Sequence, residues 1–125
     1  MIKYSVVFII NDLGEILGVS RKDNTAKFGL PGGKIDDNET SQQAAHRECF
    51  EETGITIVSS VFIFSNLQTD CFYATSWEGE INTQEIGIVK WLTAHDLTHP
   101  DSAFPQYNIK AVQALIKAFP DLVLQ

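Results

Sequence analysis

The chain has 125 residues, 44% of them hydrophobic and 20% charged, with a formal net charge of −7. That length suits one domain with a single core, and the acidic balance argues against a protein that grips nucleic acid through its phosphates, which takes clustered Lys and Arg. The apolar run at residues 6–10 is too short to span a bilayer and lacks a signal-type cleavage region.

In chain order, residues 4–10 read as a buried strand, and Asn11-Asp12-Leu13-Gly14 as a hairpin turn into a second strand over 15–20. Residues 21–26 are polar and read as a loop. Phe28-Gly29-Leu30 then enters Pro31-Gly32-Gly33, a rigid bend followed by two residues able to take positive φ. Lys34-Ile35 reads as short and extended, and Asp36-Asp37-Asn38 as turn chemistry. Thr40 and Gln43 have capping-box spacing, which predicts a helix over 41–53 with Gly54 as its stop. Three strands are expected at 55–64, 70–77 and 85–92, then a single helical turn at Asp96-Leu97 and an amphipathic helix over 107–119 before Pro120. Strands, helix, strands, helix with short links predicts an α/β (α+β) sandwich, its mixed central sheet covered by a helix on each face. Cys49 and Cys71 form no CxxC pair and read as free thiols of a cytoplasmic protein. His95 and His99, just before Pro100, read as a solvated pair.

The chemistry concentrates between two glycines. Gly33 is followed after five residues by Glu39, and after seven more by Arg47-Glu48-Cys49-Phe50-Glu51-Glu52-Thr53-Gly54-Ile55. On the expected helix, Glu48, Glu51 and Glu52 fall within about 100° of arc. Like charges so placed repel, and a hard cation that seeks clustered carboxylate oxygens would reverse the penalty. Arg47, four residues before Glu51, is positioned to orient that carboxylate and to reach Glu39.

This run resembles the Nudix box, the signature of hydrolases that cleave nucleoside diphosphates linked to another group. Every polar and glycine position matches; Cys49 stands where the family usually has Leu, Ile or Val. The resemblance covers nearly the whole chain and implies an α/β/α sandwich, with 1–125 forming one Nudix domain. It further implies Mg2+ or Mn2+ held by Glu48, Glu51 and Glu52 with the Gly32 carbonyl, and one of the acids as general base. Arg47 reads as an organiser of the acids, while Lys34 and Arg21 are candidate phosphate contacts. Glu85 is a candidate additional acid, with Glu78 and Glu80 as competitors.

Residues 77–92 and the segment Phe104-Pro105-Gln106-Tyr107-Asn108 resemble the MutT-type members, which hydrolyse oxidised guanine nucleoside triphosphates. There Asn108 would read the base, against a plain alternative as a helix N-cap. Leu30, at the substrate side, replaces an aromatic often found before Pro-Gly-Gly. The expected partner is a small-molecule nucleotide, most directly a possibly oxidised nucleoside triphosphate cut to monophosphate and pyrophosphate. Stable nucleic-acid or membrane binding is not expected; monomer and homodimer both stay open. ADP-ribose, sugar nucleotides, dinucleoside polyphosphates and 5′-triphosphate RNA remain alternative substrates. A nucleotide-sensing module without turnover is the alternative from another class.

Overall fold

The computed structural model describes residues 1–82 and 87–125. Within them, β1 (Tyr4–Phe8), β2 (Ile16–Ser20), β3 (Phe28–Gly29) and β4 (Gly32–Lys34) precede α1 (Ser41–Thr53). Then come β5 (Thr56–Asn66), β6 (Thr69–Glu78), β7 (Val89–Leu92), α2 (Ala94–Thr98) and α3 (Pro105–Ala118). The strands divide into two sheets. A four-stranded mixed sheet has the order β4-β1-β6-β5, and a three-stranded antiparallel sheet has the order β3-β2-β7. β1 runs parallel to β6 and antiparallel to β4, so the larger sheet is mixed as expected. The division into two sheets is an addition to the sequence reading. The β1–β2 hairpin and the β3–β4 link each carry the chain from one sheet to the other.

Local chemistry explains α1 well. The Thr40 hydroxyl accepts the Gln43 N–H, the Gln43 side chain accepts the Thr40 N–H, and Gly54 closes the helix at φ 82°, where a Cβ would be strained. Ala44, Ala45 and Cys49 are fully buried, and Ala45 and Cys49 pack with Val7 of β1 and Ile9 just after it, together with Leu17, Ile57 and Phe72. On the opposite side, Phe8, Ile16, Cys71 and Leu92 pack against Leu97 of α2 and Ala111, Val112 and Leu115 of α3. Each helix therefore buries its small or apolar stripe on its own side of the β1–β2 hairpin, consistent with the alternation of side chains along a strand.

Several boundaries differ from the periodicity. β5 and β6 each extend to a two-residue turn at Leu67-Gln68, where both residues have positive φ. That geometry matches strand twist in tight hairpins, but the pair carries no glycine or asparagine to signal it. α3 begins two residues earlier than its apolar pattern, at Pro105, a residue suited to a first helical position. β7 is shorter than its expected span, whose first two residues, 85 and 86, lie outside the described residues. Both cysteines are free and buried. Among the described residues, no helix is long and apolar enough to cross a membrane.

Candidate active site

The site is built where α1 crosses β4, the outer strand of the larger sheet. Glu48 comes directly against the strand backbone: a Cβ added to Gly33 would stand 2.6 Å from the Glu48 carboxylate carbon. Only glycine leaves that space open. One turn further along α1, Glu52 Oε1 accepts the Gly32 N–H at 2.8 Å. Gly33 thus lets the Glu48 carboxylate approach the backbone with no side chain between them, while Gly32, whose Cβ position is taken by Ser5 and Val6, presents its N–H to Glu52.

Arg47 binds the acids together. Its Nε donates to Glu39 Oε2 at 2.7 Å and its Nη2 to Glu39 Oε1 at 3.0 Å, a two-pronged contact that suits the planar guanidinium. Nη1 donates to Glu48 Oε1 at 3.1 Å and to Glu51 Oε2 at 3.2 Å, and Nη2 also reaches the Lys34 carbonyl at 3.1 Å. Asp36 lies 3.4 Å from the same group. The sequence placed Arg47 near Glu51 and Glu39; its contacts with Glu48 and the Lys34 carbonyl come from folding. The hydrogen bond to Glu39, with the acids around it, raises the guanidinium pKa further above its ordinary value.

The same hydrogen bond, aided by the Asp36 N–H, lowers the Glu39 carboxyl pKa below its ordinary 4.5. A carboxylate with a depressed folded pKa stabilises the fold above the unfolded value and loses that contribution as pH falls through the folded one. The melting temperature should therefore drop on acidification below pH 4.5, and Arg47→Met should flatten that limb. Identical acid limbs in both proteins would refute the coupling.

The donors here are carboxylate oxygens, which is the chemistry a hard divalent cation prefers. Glu48 and Glu52 at the glycine backbone, with Glu51 beside them, are the residues that would hold one. Among the described residues, however, no three acidic, His or Cys side chains converge tightly enough to hold a metal by themselves. Arg47 shares oxygens of Glu48 and Glu51, and Gly32 shares one of Glu52. A cation would take its place by competing with these contacts.

The other expected site residues are dispersed. Lys34 is exposed next to Gly33. Arg21 is held by Asp23 at 2.9 Å, and its guanidinium lies 5.3 Å from the Phe104 ring centroid. Leu30 is only 8% exposed and packs in the core beneath α3. Glu85 lies outside the described residues.

Asn108 is neither at the N-cap, which is Phe104, nor at the surface. It is 2% exposed, and its Nδ2 donates to the carbonyls of Leu97 at 3.0 Å and Ala103 at 2.6 Å. Two carbonyl partners fix the amide orientation, since carbonyls only accept. The amide therefore clamps the end of α2 to the loop before α3. Asn108→Ala should lower stability by about 2 kcal/mol through two lost buried hydrogen bonds, measured as a fall in urea midpoint at unchanged m value. An unchanged midpoint would refute the clamp.

The profile of the NUDIX domain family matches residues 2–113. The 8-oxo-dGTP diphosphatase of Buchnera aphidicola subsp. Schizaphis graminum is 30% identical over 94 residues, covering 70% of this chain and 71% of the relative. The NAD-capped RNA hydrolase NudC of Mannheimia succiniciproducens is 34% identical across 91% of this chain, but the chain spans only 46% of that relative's length. Among solved structures, one from a study of MutT of Aliivibrio salmonicida and Vibrio cholerae superposes with a TM-score of 0.73 at 30% identity. That match covers 94% of this chain and 98% of the other.

Proposed function

The chain belongs to the NUDIX domain family, and from that premise we propose that this Nudix hydrolase, with residues 1–125 as one domain, cleaves nucleoside triphosphates to monophosphate and pyrophosphate with Mg2+ or Mn2+. One observation carries the reading: Glu48 and Glu52 meet the side-chain-free backbone of Gly32 and Gly33. Clustered carboxylate charge there matches a substrate whose own charge needs a bridging cation. Glu48, Glu51 and Glu52, with the Gly32 carbonyl, would hold the metal. When bound, the cation polarises phosphorus–oxygen bonds and acidifies water.

The chain's own residues do the rest. Arg47, which donates to both Glu48 and Glu51, keeps the two carboxylates aimed at one place. A glutamate not engaged as a ligand accepts the proton of the attacking water, and Glu85 is an additional candidate for that task. Lys34 and Arg21 supply cations for outlying phosphate oxygens. For Asn108, whose two Nδ2 hydrogens are engaged, the amide oxygen is the group left to read a base. An acceptor there would favour the protonated N7 of 8-oxoguanine over the N7 lone pair of guanine.

The similarity to an 8-oxo-dGTP diphosphatase supports this substrate class, and that to an NAD-capped RNA hydrolase defines the rival. Turnover of 8-oxo-dGTP, dGTP, ADP-ribose, NAD and 5′-triphosphate RNA with Mg2+ separates the two, with products identified by chromatography. Preferred release of pyrophosphate from a nucleoside triphosphate is the expected result. Preference for ADP-ribose or NAD would replace the substrate, and no turnover of any would defeat the enzyme reading.

A further inference from the structure

One edge of the larger sheet is nearly free of charge. Between Glu52 and Glu78 the only charged residue is Asp70, in a chain of which 20% is charged. That stretch forms the β5–β6 hairpin, and β5 is the outer strand at the edge opposite β4. Glu78 stands opposite Thr56 and Asp70 opposite Ser65, so charge lies at the two ends of the strand pair and its middle is neutral. Outer strands expose backbone N–H and C=O groups and are commonly blunted by lysine or proline. Residues 56–66 contain neither.

One stripe of α1 widens this neutral strip. Gln42 Nε2 donates to the Ser60 carbonyl at 3.1 Å and to Ser60 Oγ at 2.9 Å, and His46 Nε2 lies 2.7 Å from the same hydroxyl. Phe50 is one turn further along that stripe. Phe50, Val58 and Phe62 are each more than half exposed, and Val61 is 39% exposed. Phe62 stands edge-on to Phe72, with ring centroids 5.8 Å apart, which sets its position while its outer side stays open. Glu48 and Glu52 leave α1 on its other side, toward β4.

We propose that this strip is the contact face of a homodimer, two copies meeting by their β5 edges about a twofold axis near Val61. The occupant follows from charge. Copies with a net charge of −7 repel one another, so they approach closely only where neither presents charge, and a partner of opposite charge finds nothing here to pair with. The polar groups of the strip match themselves. Gln42, Ser60 and the Ser59–Thr75 hydroxyl pair, 2.7 Å apart, all both donate and accept, so an identical surface can satisfy them. An antiparallel β5 pair is symmetric about a twofold by construction. The ladder to β6 shifts register at Ile57/Ser59, Ser59/Ser60 and Phe62/Phe64, and such bulges bend a strand. Backbone pairing is thereby confined to residues 60–62, and side chains supply the remaining contact. Each half-exposed phenylalanine offers about 100 Å², so with Val58 and Val61 the apolar part is on the order of 300 Å², the size of a patch that marks an interaction site. With its polar surround it approaches the ~800 Å² per partner of a standard interface. The acidic sites lie at the opposite sheet edge and stay open in the dimer. The proposal stands independently of the hydrolase reading.

Sedimentation equilibrium of the whole chain should show the mass rising from the 13.9 kDa of one chain toward twice that value between about 1 and about 100 μM, the weak end for an interface of this size. Over the same range the backbone NMR signals of Phe50 and of residues 59–62 should shift. Raising salt from about 0.05 to about 0.5 M should tighten the dimer, because it screens the repulsion between the copies. Phe62→Lys should weaken association at least about 100-fold by bringing like charges together at the contact. Val58→Lys, at a side chain outside both core clusters, should weaken it at least about tenfold and decides the matter if Phe62→Lys does not fold. A monomeric mass up to about 0.5 mM, loosening by salt, shifts confined elsewhere, or wild-type association in the folded variants would overturn the assignment. Binding of a monomer to phosphatidylcholine vesicles through the same residues would also overturn it and give the face to a lipid surface.

Discussion

Glu52→Gln is expected to retain the fold and lose at least about 10²-fold in kcat, the scale of removing one electrostatic or ligand-supporting group from a catalytic centre. The substitution is chosen for what it preserves. Glutamine has the same shape, and its carbonyl oxygen can still accept the Gly32 N–H that Glu52 accepts at 2.8 Å. The negative charge alone disappears. If Glu52 serves only to tie α1 to β4, the variant should behave as wild type; if its charge helps hold a cation, turnover should collapse at unchanged melting temperature. A second readout is independent of turnover. Millimolar Mg2+ should raise the melting temperature of the wild type by mass action, and less so that of the variant. Near-normal kcat in a folded Glu52→Gln protein would sink the metal role of this carboxylate.

Arg47→Met should damage both stability and activity. The side chain of Glu39 is 13% exposed and that of Glu48 18%, and both lose the guanidinium they contact. Removing one partner of a fully buried pair costs roughly 3–5 kcal/mol; these acids keep some solvent, so a loss on the order of 2 kcal/mol is expected. Activity should fall about 10- to 100-fold, the range seen when a residue that orients metal ligands is removed. Arg47→Lys should recover little, because one ammonium cannot make the two-pronged contact with Glu39 and also reach Glu48 and Glu51. Full recovery by lysine would show that charge alone matters and that the fork geometry does not.

The contrast between these two residues marks what could be foreseen. The Arg47–Glu51 contact follows from helical periodicity, since positions four apart share a face. The Glu52–Gly32 hydrogen bond joins residues 20 apart and depends on the angle at which α1 crosses β4, which no local pattern encodes. Asn108 illustrates the same limit. Its place before an apolar helix suggested either a cap or a base contact, whereas folding turned both amide hydrogens toward carbonyls of α2 and the following loop.

By itself, the sequence determined everything written in short-range chemistry. Capping-box spacing and a stop glycine set α1 at both ends, two adjacent glycines marked the backbone that acids could approach, and fixed offsets carried the resemblance to a family. Only the tertiary structure decided the split into two sheets, the turn at Leu67-Gln68, the burial of Leu30 and the exposure of Phe62 on an outer strand. The reason is physical. Caps and helix faces depend on dihedrals and contacts within a few residues, while sheet order, side-chain pairing across strands and enclosed space depend on which distant surfaces bury one another.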